Sequence, residues 1–200
     1  MLENSPRITS GNLRNRKLKI SKNASLKFVR DKVRQAIFMI LSERVEGAVV
    51  LDLFAGSGIL GFEALSRGAT FVDFVEENYN NVESLKVNAH QLGVLDIVEI
   101  HKTKAITYTG NADKYYDLIF LDPFYDDLNH KFLLQLISDS LKPEGIVIFL
   151  HGGLDLKKQI ENLNLEIVLE KKYGQTTVSF LKHLKNIDKS ISNEYISKEE

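Results

Sequence analysis

Two short segments of the chain contain residue types that bind ligands or carry out chemistry. The first runs from Asp52 to residue 61 and contains three glycines spaced as Gly-x-Gly-x-x-Gly. Glycines let a backbone approach a ligand closely and adopt positive φ angles. The second is Asp122-Pro123-Phe124-Tyr125, where a carboxylate, a rigid proline and two aromatic rings are adjacent. The first segment is suited to a cofactor, and the second to a flat polar substrate.

The glycine spacing alone fits either a dinucleotide or S-adenosylmethionine. Glu76 closes the next predicted strand, where an acid can bind ribose hydroxyls of either cofactor. Asp52 favours S-adenosylmethionine, because a carboxylate attracts its ammonium and sulfonium groups and repels a pyrophosphate. A tight turn without a ligand is the remaining alternative. We therefore expect S-adenosylmethionine to lie over Gly56 and Gly58.

The Asp122 segment suits methyl transfer to an exocyclic amine, whose lone pair is delocalised into a base and is a poor nucleophile. The Asp122 carboxylate and the Pro123 carbonyl can accept the two N–H groups and orient the nitrogen. Tyr125 can stack on a base that has swung out of its helix. The alternative is a simple turn, since Asp-Pro often begins turns. The position after a strand, beside the expected cofactor, favours catalysis.

Strands and helices alternate from residue 48 onward, which predicts an α/β fold with a doubly wound, mostly parallel sheet. Both segments then lie at the carboxyl ends of strands, where such sheets bind ligands. A last hairpin makes the final strand of seven antiparallel. The predicted strands cover 48–54, 70–75, 97–101, 116–121, 146–150, 165–171 and 176–181, and the main helices cover 56–67, 80–92, 128–141 and 154–163.

The amino-terminal part of the chain is basic. Residues 1–36 contain ten basic and two acidic side chains, a net charge of +8, whereas the remaining residues sum to −9. A hairpin and a helix are predicted here, with Arg30 and Arg34 one turn apart on a polar face. Such an arm on an acidic body indicates a polyanionic partner, and a solvated basic surface is the alternative.

We divide the chain into a basic extension (1–44), a catalytic domain (45–184) and a polar tail (185–200). The absence of cysteine excludes disulfides and thiolate metal sites. No apolar run is long enough to span a bilayer, and no cluster of metal ligands is evident. We expect a cytoplasmic monomer without a metal.

The chain resembles the RsmD family, the bacterial guanine-N2 methyltransferases of small-subunit (16S) ribosomal RNA. The likeness extends from about Arg7 to His183 and is more specific than either functional segment alone. It rests on Arg7-Ile-Thr-Ser-Gly11, Arg16-Lys-Leu18, Arg30-Asp-Lys-Val-Arg34-Gln-Ala-Ile-Phe38, Leu51-Asp-Leu-Phe-Ala-Gly-Ser-Gly58, Gly61-Phe-Glu-Ala-Leu-Ser-Arg-Gly-Ala69 and Asp122-Pro123.

The resemblance implies a Rossmann-like class I methyltransferase that uses S-adenosylmethionine and acts on rRNA, within an assembling 30S particle with ribosomal proteins. Residues 122–125 would hold the guanine. The cofactor residues would be Asp52, Phe54, Gly56, Gly58, Glu76, Glu77, Lys104, Ala105 and Asp122. The RNA-binding residues would be Arg7, Arg14, Arg16, Lys17, Arg30 and Arg34.

Four positions depart from the family pattern. Val29 stands where threonine is usual, Leu150 stands where an acid is common before His151, and the other two lie in the candidate site. Phe124 stands where a second proline is usual, and Lys104 stands where an acid or amide would face the adenine ring. The main-chain amide of Ala105 remains available to the adenine. Methylation of adenine N6 or of protein, a nicotinamide-dependent enzyme, and a non-catalytic RNA-binding protein are the alternatives.

Overall fold

A seven-stranded mixed sheet organises the chain, in the order β3-β2-β1-β4-β5-β7-β6. This architecture is seen in a computed structural model, which describes residues 5–20, 28–110, 114–123 and 130–184. The strands are β1 (Val49–Leu53), β2 (Phe71–Glu76), β3 (Val98–Lys102), β4 (Tyr116–Leu121), β5 (Leu141–His151), β6 (Leu165–Tyr173) and β7 (Thr176–His183). The helices are α1 (Asp31–Leu41), α2 (Ile59–Ser66), α3 (Tyr79–Leu92), α4 (Ala105–Thr109), α5 (His130–Ser140) and α6 (Leu156–Ile160).

The five strands β1 to β5 are parallel, and β7 is antiparallel to its neighbours β5 and β6. Strand β1 lies between β2 and β4, so the chain reverses its direction of travel across the sheet at this point. A crevice opens between the carboxyl ends of such strands, and open α/β sheets bind ligands there. The fold predicted from the sequence, including the antiparallel last strand, is therefore confirmed.

Three elements differ from their prediction by more than small shifts of their ends. Helix α6 covers only Leu156–Ile160 of the predicted 154–163. Strand β5 begins at Leu141, five residues earlier than expected, because Leu141 pairs with Tyr116 across a register shift. Helix α4 was not predicted at all. With five residues it is shorter than two turns, so no apolar periodicity can reveal it.

The basic extension folds against the body. Arg7 and Lys17 form an antiparallel bridge, which confirms the predicted hairpin in a minimal form. Ile8 and Leu18 on this hairpin are fully buried in one core cluster with Val50 of β1 and Phe62 of α2. Among the residues described, no helix has the length and hydropathy needed to cross a membrane. Residues 124–129 and the predicted tail, 185–200, lie outside the described part of the chain.

Candidate cofactor and substrate site

The loop between β1 and α2 bends through positive φ at three positions. Gly56 has φ 53° and Gly58 has φ 76°, as expected of glycines at a tight strand-to-helix turn. A Cβ atom on Gly58 would lie 2.5 Å from Leu85 and 2.6 Å from Phe62, so space also requires glycine there. Phe54 adopts φ 60° although its side chain disfavours this region, and such strain is often found at functional sites.

Asp52 fastens this loop to the first turn of α2. Its Oδ2 atom accepts a hydrogen bond of 2.9 Å from the Gly61 amide, which is one of the unpaired N–H groups of the helix start. Burial raises the pKa of Asp52 well above its usual range, and the charges of Asp122 and Glu76 raise it further. The carboxylate therefore lies in an environment that a cationic ligand would relieve.

Glu76 connects the end of β2 to the same loop. One carboxylate oxygen accepts from the Gly56 amide at 2.8 Å, and the other accepts from the Asn78 amide at 2.8 Å. Each oxygen keeps a second lone pair that can accept a ribose hydroxyl. The neighbouring Glu77 is exposed at the strand end. The structure therefore brings the predicted acid into direct contact with Gly56 of the predicted glycine loop.

Asp122 follows β4 and lines the same cleft as Asp52. Burial raises the pKa of Asp122 to about 7. Within the described ranges, no hydrogen bond or ion pair engages its carboxylate, so it can accept hydrogen bonds from a ligand. Pro123 is buried beside it, whereas Phe124 and Tyr125 lie outside the described residues. Half of the predicted catalytic segment is thus placed at the cleft.

The candidate cleft is lined by Phe28 and Val29, by Asp52, by the loop 54–57 with the first turn of α2, and by Asp122. Phe28 and Val29 come from the basic extension, and sequence analysis did not place them at the site. The cavity measures about 40 Å³. Small-molecule sites usually exceed about 300 Å³. A nucleoside cofactor would therefore extend beyond this inner cavity, along the strand ends.

The segment after β3 lies next to Glu76. The Thr103 amide donates to the Glu76 carbonyl at 3.2 Å. Ala105, which begins α4, is buried, whereas the preceding Lys104 is exposed and its side chain makes no capping hydrogen bond. The main-chain amide of Ala105 thus lies just after the carboxyl end of β3, and the Lys104 side chain is exposed to solvent.

Arg34 does not lie on a solvent-facing surface, so the prediction that it contacts RNA is wrong. Its side chain is fully buried. The guanidinium donates hydrogen bonds to the carbonyl oxygens of Val29 and Arg7, at 2.5 Å and 2.6 Å, and to the Asp31 carboxylate at 3.0 Å, and these bonds compensate the burial. Burial lowers the pKa of Arg34, and the charges of Asp31 and Glu63 oppose that shift. Sequence periodicity assigned Arg34 to a polar face because a buried ion pair has no periodic signature.

The other predicted RNA-binding side chains are exposed. Arg7 lies 3.5 Å from Asp31, and Arg16 donates to the carbonyl of Gln91 at the end of α3, at 2.6 Å. The side chains of Arg14, Lys17 and Arg30 have no hydrogen-bond or ion-pair partner in the described part of the chain. Arg16 and Lys17 line an open groove of about 540 Å³ together with His90.

Comparison with known proteins identifies the family. The family described as Conserved hypothetical protein 95 matches residues 6–182. The chain belongs to this family, which is the RsmD family of the resemblance. It is 31% identical over 183 residues to the Bacillus subtilis (strain 168) protein named "Putative rRNA methyltransferase YlbH", covering 88% of this chain and 98% of that protein.

A second relative of this RsmD-family chain is the "Ribosomal RNA small subunit methyltransferase D" of Haemophilus influenzae, which is 32% identical over 150 residues, 70% of this chain and 76% of that protein. The fold is similar to the solved structure of "Putative methyltransferase yhhF from Escherichia coli", with a TM-score of 0.80 and 26% identity over 90% of this chain and 98% of that one. The Rossmann-like class I methyltransferase fold is therefore confirmed.

Proposed function

We propose that this chain transfers a methyl group from S-adenosylmethionine to the exocyclic N2 amine of a guanine in small-subunit rRNA. One observation carries the proposal: Asp122, at the end of β4, shares a cleft with Asp52 and the glycine loop. Membership of the RsmD family supports rRNA as the substrate, because relatives carry names of small-subunit rRNA methyltransferases.

The residues present suit S-adenosylmethionine. Three carboxylates, on Asp52, Glu76 and Asp122, surround the glycine loop, and their mutual repulsion favours a cationic ligand. Glu76 offers acceptors for ribose hydroxyls, and Glu77 and Lys104 lie at the neighbouring strand ends. The Ala105 amide would face the adenine ring, and Phe54 with Gly56 and Gly58 would contact the methionine part.

The chain's own residues hold the amine and take its proton. When bound, S-adenosylmethionine supplies an electrophilic methyl group on its sulfonium. The Asp122 carboxylate and the Pro123 carbonyl accept the two N–H bonds of the amine and direct its lone pair toward the cofactor side of the cleft. Methyl transfer would form the new N–C bond, break the S–CH3 bond of the sulfonium and leave S-adenosylhomocysteine, and Asp122 would accept at Oδ the proton released from the amine. A pKa of about 7 suits Asp122 to this exchange near neutral pH.

Phe124 and Tyr125 would stack on the guanine as it leaves its helix. Arg7, Arg14, Arg16, Lys17 and Arg30 would bind rRNA phosphates, with Arg16 and Lys17 acting through the groove beside His90. The basic extension, 1–44, would serve RNA binding and the domain 45–184 would serve catalysis. We place the enzyme in the cytoplasm as a monomer that acts on an assembling 30S particle with its ribosomal proteins.

The test is transfer of labelled methyl from S-adenosylmethionine to small ribosomal subunits that lack the modification, followed by identification of the product nucleoside. N2-methylguanosine is expected, and Asp122→Asn should lower the rate of its formation at least about a hundredfold while cofactor is still bound. N6-methyladenosine would support the adenine alternative instead. Bound cofactor with no transfer to RNA or subunits would refute the proposed activity.

A further inference from the structure

Arg34 and Glu63 form a buried ion pair between the basic extension and α2. Both side chains are at most 1% exposed, and Arg34 Nε lies 3.7 Å from Glu63 Oε2. Arg34 Nε has no hydrogen-bond partner and is buried, so the ion pair is its only compensation among the described residues. Burying two charges is costly and gives weak evidence of a stabilising role. The pair is therefore more informative about which structural elements it holds in position.

The Arg34 guanidinium reaches the wall of the candidate cleft. Its Nη1 atom donates to the Val29 carbonyl at 2.5 Å, and its Nη2 atom donates to the Arg7 carbonyl at 2.6 Å. Val29 and its neighbour Phe28 line the cleft. The planar guanidinium has a fixed geometry of donors, so it fixes the direction of the Val29 carbonyl relative to α1.

Glu63, the partner of Arg34 on α2, binds the hairpin of the extension. Its carboxylate accepts from the Thr9 amide at 2.8 Å, from the Thr9 hydroxyl at 2.6 Å and from the Ser10 amide at 3.1 Å. Arg67 donates to it at 3.0 Å. Thr9 and Ser10 of the Arg-Ile-Thr-Ser-Gly motif thus dock the hairpin on α2, whereas the Arg7 side chain remains exposed.

Helix α2 also carries the opposite wall of the cleft. It starts at the glycine loop, and Asp52 fixes its first turn through the Gly61 amide. Glu63 lies two residues after Gly61 on this same helix. A continuous series of contacts therefore runs from the glycine loop through α2, Glu63 and Arg34 to Val29, and it joins the two walls of one cleft.

We propose that Arg34 and Glu63 are positioning residues that set the separation between the Phe28–Val29 wall and the glycine loop, and thereby control cofactor affinity. The cofactor part of this proposal rests on the proposed function. Without the Glu63 charge, the wall samples positions that do not fit the cofactor. If the fitting position is then occupied about a tenth of the time, the apparent dissociation constant rises about tenfold.

The absence of tryptophan from the chain permits a direct test. Phe28→Trp places the only indole on the wall, and its cofactor affinity is first compared with that of the parent by calorimetry. Glu63→Gln is then made in this background, since it removes the charge but keeps the shape. We expect greater acrylamide quenching of the indole without ligand, and about a tenfold weaker affinity for S-adenosylhomocysteine.

Ser66→Ala is the matched control. Ser66 docks the same hairpin on α2, by donating to the Ser10 carbonyl at 2.5 Å and accepting from the Leu13 amide at 2.9 Å, but it has no contact with Arg34. The control should leave quenching and affinity close to those of the Phe28→Trp parent. Equal effects in both variants would mean that only docking of the hairpin matters, and would overturn the proposal.

Circular dichroism establishes folding of each variant. If Glu63→Gln does not fold, Arg34→Lys replaces it, because lysine keeps the charge but loses the fixed guanidinium geometry. Unchanged quenching in the folded variant would overturn the positioning role. Failure of the parent to bind S-adenosylhomocysteine would instead refute the cofactor assignment, while the quenching experiment, which needs no ligand, would still decide the role of the ion pair.

Discussion

Asp52 and Asp122 line one cleft from two adjacent parallel strands, whose ends pair at Leu53 and Leu121. Burial raises the pKa of Asp52, and the charge of Asp122 raises it further. Two carboxylates so placed resist simultaneous ionisation, and a cation between them relieves the repulsion. The pairing of β1 with β4 therefore creates a site whose charge favours a cationic ligand beside a hydrogen-bond acceptor.

The pKa of Asp122, raised by burial to about 7, predicts an acid limb in the pH profile. The ionised carboxylate is the active form, so kcat/KM should rise as the pH increases through about 7 and level off above it. Asp122→Asn should lower kcat at least about a hundredfold, because it removes the charged acceptor. A pH-independent rate between pH 6 and pH 8 would contradict this role for Asp122.

Glu76 has two roles at the site: it accepts a hydrogen bond from the Gly56 amide, and its remaining lone pairs can accept ribose hydroxyls. Glu76→Ala should weaken S-adenosylmethionine binding by about tenfold to a hundredfold, the value of one lost hydrogen bond to a charged group. Calorimetric titration measures this directly. Glu83→Ala, on the exposed part of α3, provides the control and should bind with the affinity of the parent. Equal affinity in both variants would locate the ribose elsewhere.

Sequence reasoning predicted the sheet well because buried parallel strands appear as apolar runs and glycines mark the turns between them. It also predicted that Asp52, Gly56 and Glu76 converge, since strand ends of a parallel sheet meet at one edge. The start of β5 at Leu141 was missed, because Pro143 and Gly145 indicate a turn when neighbouring strands are not considered.

Arg34 and Phe28 show where local patterns are insufficient. An arginine on a helix is usually exposed, and its burial here depends on partners that include the distant Arg7 carbonyl and the distant Glu63 carboxylate. Phe28 reaches the cleft because the extension folds back on α2, which depends on contacts more than 50 residues apart in sequence, such as that of Thr9 with Glu63. Such long-range pairings leave no periodicity in a single sequence.

Gly11 should be essential for docking of the hairpin. It has φ +80°, and an added Cβ would lie 1.7 Å from the Ser66 carbonyl oxygen. Gly11→Ala should destabilise the fold by about 3 kcal/mol, through overpacking and the unfavourable φ together. Gly93→Ala is the control, with φ +72° and nothing within 4 Å of the added Cβ. Urea unfolding of Gly93→Ala should show that its free energy of unfolding falls by only about 1 kcal/mol. Equal losses would show that the close approach to α2 is unimportant.

Asp73 is a buried carboxylate at the centre of a polar network beneath α4 that extends to the surface at Lys114. It accepts hydrogen bonds from Tyr116, Lys114 and His101, with His101 Nε2 at 2.7 Å. Burial raises the pKa of Asp73, but these hydrogen bonds outweigh it and the net pKa is lowered. The carboxylate therefore contributes stability above its unfolded pKa of about 3.9, and this contribution is lost as the pH falls through the lower folded value.

Asp73→Asn should accordingly lower the unfolding free energy at pH 7 by about 2 kcal/mol, as expected when a buried carboxylate loses its charge-assisted hydrogen bonds. Urea unfolding at several pH values measures the difference from the parent, which should stay constant down to about pH 4 and narrow below it. Asp96→Asn, at an exposed position after α3, should show no such deficit. If the unfolding free energy of Asp73→Asn is as far below that of the parent at pH 3 as at pH 7, the Asp73 charge does not stabilise the fold.

RNA binding should depend on the exposed cations of the extension and not on its charge as a whole. The side chains of Arg14 and Arg30 are exposed and engage no partner among the described residues, so each can contact a phosphate. Arg14→Gln and Arg30→Gln should each reduce the slope of log affinity against log salt by about one unit or less. Lys171→Gln removes an equal charge from β6, at the far edge of the sheet, and should leave the slope unchanged. If all three variants reduce it equally, the extension provides only general attraction and no defined contact with RNA.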